Sequence, residues 1–150
     1  AAQRPRAGLD GESRVMLRPR LLAALVAAHV LSSALHFADS ALRFDHYHDE
    51  AKLLLNPVIV VIAWFLQTGL GLTGLALQRR GRAAGRPLLV AYGALGLAGL
   101  LHYLAPPAGG LHAEMQVLIG LEAATGLALG LILVLTWKDE PRPSSRTADT

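Results

Sequence analysis

Apolar residues in this chain come in four long blocks separated by short polar stretches, at about 17–44, 57–78, 87–104 and 113–137. Each block approaches or exceeds the roughly 20 residues that an α-helix needs to cross hydrocarbon. The first block carries a polar line within its apolar sequence. His29, Ser32, Ser33, His36, Asp39 and Ser40 recur at steps of three, four and seven, which places them on one helical face. Histidine and carboxylate are rare in a bilayer unless they pair, face a bundle interior or do chemistry. The pattern predicts an all-α integral membrane protein, an antiparallel bundle of four transmembrane helices whose other members supply partners to this face. Its connecting loops are short enough to make neighbouring helices antiparallel.

Punctuation supports the boundaries. Asn56-Pro57 has the form of an N-cap followed by Pro at the first helical position. Pro106, Pro107, Gly109 and Gly110 mark a turn before the fourth block. Gly69, Gly71 and Gly74 in the second block, and Gly93, Gly96 and Gly99 in the third, are small enough to bring helix backbones together in lipid. The same Gly-rich faces could join two copies into a homodimer. Residues 1–16 read as a flexible cytoplasmic segment, with Met16 a candidate natural start, and 138–150 as a disordered cytoplasmic tail. A cleaved signal peptide is the rival reading of the first block, but its length and regular polar face favour a retained helix.

Composition agrees: 53% of residues are hydrophobic and the mean hydropathy is +0.40. The isoelectric point near 9.8 would suit a nucleic-acid partner, but the placement of charge does not. Twelve of the 14 Lys and Arg lie in Arg4–Arg20, Arg79–Arg86 and the segment after Trp137. Only Arg43 and Lys52 lie in the other two loops. Under the positive-inside rule both termini and the 79–86 loop are cytoplasmic, and the 45–56 and 105–112 loops face outward. Membrane lipid, not nucleic acid, is the expected partner, and a bacterial plasma membrane the expected location. Trp137 would anchor at an interface.

This topology sends the candidate chemistry to one side. His36, His46, His48, His102 and His112 all map to the outward half, with His29 about two turns deeper. The chain has no cysteine, so thiolate chemistry is absent. Imidazole with carboxylate suits a divalent transition metal such as Zn, Fe, Mn or Cu. The expected ligands are His36, Asp39, His102 and His112, supported by Ser40, Tyr103 and His48. No spacing here matches an established metal motif. Glu122, nearer mid-membrane, is the expected general acid/base or proton carrier, and His48 a second catalytic candidate. The leading functional expectation is a metal-binding membrane protein, a hydrolase or oxidoreductase acting on a lipid-phase or interfacial substrate near the exoplasmic face. The alternatives are a b-type haem electron carrier using His36 or His29 with His102, a metal or proton transporter running through His29, Gln67 and Glu122, and an accessory subunit of a membrane complex.

Overall fold

The computed structural model describes residues 9–47, 56–104 and 110–136. Helix α1 runs Leu9–Leu42, with Pro19–Leu42 as its membrane-length apolar part. The single turn α2, Phe44–Tyr47, follows it. Helix α3 is Pro57–Arg79, α4 is Gly85–Leu95, a 3-10 helix spans Ala98–Tyr103, and α5 is Ala113–Leu135. Secondary structure is helical throughout the described residues. Three helices, Pro19–Leu42, Pro57–Arg79 and Ala113–Leu135, are long and apolar enough to cross a membrane.

The start of α3 follows from its sequence. Asn56 has extended backbone, and its side chain accepts from the Ile59 amide at 3.0 Å, satisfying one of the orphan donors of the first turn. Pro57 takes the next position, where a missing N–H costs nothing. At the far end Gly81 adopts a φ of +66°, which lets the chain reverse into α4. At Gly85 a side chain would overlap the backbone of Gln78, so the two helices approach very closely there.

The third apolar block, expected as one helix over 87–104, is broken. Its α-helical part stops at Leu95, and the chain resumes after Gly96 and Leu97 as the tighter 3-10 helix. Three glycines at three-residue spacing lower the helical propensity of this stretch. Two of them are also pressed by side chains from α1. The His29 ring occupies the space where a Gly96 Cβ would stand, and His36 Cε1 lies 2.9 Å from the position of a Gly99 Cβ. Gly93 serves close helix packing as expected, meeting the Gly126 backbone, while Gly96 and Gly99 in addition make room for imidazoles.

Packing is circular. Helix α1 contacts α3 and α5, and α4 contacts the same two helices. Val26, Leu75, Leu89, Tyr92, Leu129 and Leu133 form the apolar cluster at one end, and Met115 and Ile119 a smaller one toward the other. Many large apolar side chains, including Leu42, Phe65, Leu66 and Leu131, point outward, as a lipid-facing surface requires. Arg86, buried, donates to the carbonyl oxygen of Thr136 at 3.4 Å. It thereby sets a cation against the negative end of α5.

Helices α4 and α5 also meet backbone to backbone, where a Cβ on Gly93 would stand 2.8 Å from the Gly126 carbonyl oxygen. Gly126→Val should therefore force these helices apart and cost about 1–3 kcal/mol. Gly120 has open space around it, so Gly120→Ala should leave stability unchanged or slightly raised. Thermal unfolding in detergent, scored side by side, checks the pair.

Candidate functional site

The polar face of α1 turns inward as its spacing predicts. His29, Ser32, Ser33, His36 and Ser40 are all buried. His29, Ser32, Ser33 and His36 each meet a polar partner on another helix, as a polar group in an apolar bundle must. The deepest set is His29 with Thr125: Nδ1 lies 2.8 Å from the threonine hydroxyl. That hydroxyl is also 3.0 Å from Ser32 Oγ. Tyr92 closes over the His29 ring edge-on, with centroids 4.6 Å apart. One turn on, the indole nitrogen of Trp64 donates to Ser33 Oγ at 3.3 Å.

Two turns along α1 from His29 is the most charged contact of the interior. His36 Nδ1 hydrogen-bonds to Glu122 Oε2. The other carboxylate oxygen accepts from Gln67 Nε2 at 3.2 Å. Glu122 is 1% exposed and His36 4%. Three helices, α1, α3 and α5, thus meet on one carboxylate. A carboxylate is acceptor-only when ionised, so both neighbours must donate to it: His36 through Nδ1–H and Gln67 through its amide NH₂. The remaining ring nitrogen, Nε2 of His36, has no hydrogen-bond partner among the described residues, and neither has Gln67 Oε1.

Both residues line a cavity of about 240 Å³. Glu122, His102 and Ser40 complete its polar floor. Its walls are Phe37, Ile59, Val60, Ala63, Leu95, Ala98 and Gly99. Of these, Ile59 and Ala63 on α3, with Leu95 and Ala98 across from them, are exposed. The mouth therefore lies between α3 and the broken segment, and its rim is apolar. His102 stands beside His36 with ring centroids 5.6 Å apart and edge-on geometry.

The expected metal ligands are distributed differently. His36 and His102 do come together. Asp39 pairs with Arg43 at 3.4 Å, and Arg43 also reaches Glu114 at 3.5 Å. His112 is exposed and stacks on His46 with centroids 4.4 Å apart. His46 in turn lies 3.2 Å from the Gly110 carbonyl oxygen. Among the described residues no group of three or more His, Asp or Glu has the arrangement to hold an ion, so His36, Asp39, His102 and His112 do not form one centre. Glu122, expected as a general acid/base or proton carrier, contacts His36 directly. Thr125 holds His29. Of the expected supporting residues, Ser40 lines the cavity and Tyr103 is about half exposed. His48 lies outside the described residues, as do most of the 45–56 loop, Trp137 and the tail. A haem between His36 and His102 would need a flat macrocycle to fit between rings that already touch.

Comparison with known protein families, curated proteins and solved structures finds no match to this chain.

Removing one member of the buried trio leaves the others unpaired. Glu122→Leu should cost about 3–5 kcal/mol. Replacing both His36 and Glu122 with Leu should cost less than the Glu122 change alone, because the orphaned imidazole goes too. A double-mutant cycle by unfolding in detergent reads the sign of that difference.

Proposed function

We propose that this chain is a polytopic membrane protein whose His36–Glu122 pair performs acid–base chemistry on a small molecule drawn from the lipid phase. The observation that carries the reading is the disposition of His36: Nδ1 is held by a buried carboxylate, Nε2 has no hydrogen-bond partner among the described residues, and the residue lines a cavity with an apolar mouth. A carboxylate on one ring nitrogen holds the tautomer and orients the ring. In this reading Glu122 is a positioning residue, and Nε2 is the atom that accepts or returns a proton. His102, edge-on to His36, is placed to pass that proton onward. An ionisable pair kept at such cost in an apolar interior is by default a functional site.

The proposed membrane arrangement has four crossings, the third of them interrupted. Helix α4 alone spans about 16 Å, and the 3-10 helix adds about 12 Å. With the two residues between them they approach the roughly 30 Å of hydrocarbon. Broken backbone at membrane depth is tolerated where protein covers it, and His29 and His36 cover this break. In this arrangement both termini are cytoplasmic and the cavity end of the bundle lies toward the exoplasmic leaflet, a reading supported by the distribution of Lys and Arg.

Metal binding is the second reading. It is favoured by the contact of His36 with His102 and weakened by the separate engagements of Asp39 and His112. Two imidazoles with solvent ligands would hold Zn or Cu less firmly than a three-ligand site. Elemental analysis of protein purified without added metal separates the readings: near-stoichiometric metal that is lost in His102→Ala would replace acid–base chemistry with a metal centre.

For the acid–base reading, diethyl pyrocarbonate added to protein in lipid nanodiscs should acylate His36 at Nε2, detected by peptide mass spectrometry. Glu122→Gln should slow that acylation about 10-fold by removing the ionised partner. Acylation of exposed His112 with none at His36 would overturn the reading.

A further inference from the structure

We propose that the cavity binds an uncharged phenolic head, a phenol or hydroquinone carried on an apolar tail, with its O–H donated to His36 Nε2. This deepens the acid–base reading and rests on it. The polarity of the floor follows from the hydrogen bonds already made. Glu122 consumes a donor from His36 and a donor from Gln67. With a neutral imidazole, His36 keeps Nε2 as an acceptor, and Gln67 keeps its carbonyl oxygen and one N–H. A ligand that matches His36 Nε2 must bring hydrogen, which an ether, ester or ketone cannot do.

The charge of the head follows from the same contacts. The buried carboxylate is already held by an imidazole and an amide. A charged head would enter an apolar enclosure with no free counter-ion, at a desolvation cost that a neutral head avoids.

Size and shape favour a ring. An apolar cavity of about 150 Å³ is enough for benzene, and this one is about 240 Å³. A linear alcohol would leave much of it empty, forfeiting contacts with the walls. Phe37 and the His36 and His102 rings provide aromatic surface for a planar group. A phenol also ionises near 10, as tyrosine does, far closer to imidazole than an aliphatic alcohol. Proton transfer to Nε2 is correspondingly easier. The mouth between Ile59 and Ala63 on one side, and Leu95 and Ala98 on the other, is apolar and exposed. It lets a hydrocarbon tail remain in the bilayer while the head is inside.

The test is equilibrium binding of three tritiated probes to the full chain in phosphatidylcholine nanodiscs: para-nonylphenol, its methyl ether para-nonylanisole, and nonanol. The phenol should bind about 10-fold more tightly than the ether, the value of a lost buried hydrogen bond, and more tightly than nonanol. Ala63→Trp, at an exposed rim position that can take a large side chain without disturbing the core, should weaken phenol binding by a similar factor. Equal binding of phenol and ether, binding of nonanol as tight as that of the phenol, or no saturable binding of any probe each overturns the proposal. Those failures are separable from failure of the acid–base reading. If His36 is still acylated at Nε2 by diethyl pyrocarbonate, only the phenolic ligand is rejected; if it is not, both are.

Discussion

One buried carboxylate sets the terms for this interior. Glu122 sits in the middle of an otherwise apolar helix, where an unpaired charge would be prohibitive and even a neutral acid needs partners. Its two oxygens take His36 from α1 and Gln67 from α3. A residue that must touch two other helices at once fixes the rotation and the axial register of all three. Hydrophobic packing cannot do this between lipid-bathed helices, because lipid tails are as apolar as the side chains they would replace.

The broken segment follows from the same constraint. His29 and His36 lie seven residues apart on α1 and both project into the bundle. Imidazoles are wide, and the opposing chain meets them with Gly96 and Gly99. Glycine there removes the side chains that would block the rings and weakens the helix at the same place. The loss of regular α-helix after Leu95 leaves Gly99 and His102 around a space that a continuous helix with larger residues would fill. Cavity and helix break are thus two consequences of seating histidines against glycines.

Polar matching extends the full length of the α1 face. His29 meets Thr125, Ser33 meets Trp64, and His36 meets Glu122. Near the exposed end Arg43 bridges Asp39 and Glu114, and His46 stacks on His112. The inner pairs are removed from solvent, whereas Arg43 and Glu114 are exposed. The inner contacts therefore specify geometry, and the outer ones, screened by solvent, contribute little to stability. His29 Nε2 is likewise buried without a hydrogen-bond partner among the described residues, but it is the His36 level that adds a cavity beside the ring.

Helical class, the positions of three membrane-length helices, the capped start at Asn56 and the inward turn of the α1 polar face were all determined by the sequence. Each depends on local chemistry: 3.6-residue periodicity, capping and the cost of polar groups in lipid. Glu122 and His36 were both legible as functional candidates, because ionisable residues in apolar helices stand out. Their contact was not legible, since residues 86 positions apart meet only through helix register. The same dependence parted Asp39 and His112 from His36, although topology had placed all three toward one side. Glycines read as packing elements became seats for imidazole, and a helix expected to be continuous was broken, because both outcomes depend on the width of side chains arriving from another helix. Sequence determined which groups must find partners inside the bundle; only the tertiary structure decided which partners they found, since pairing across helices is fixed by rotation and register that no single helix encodes.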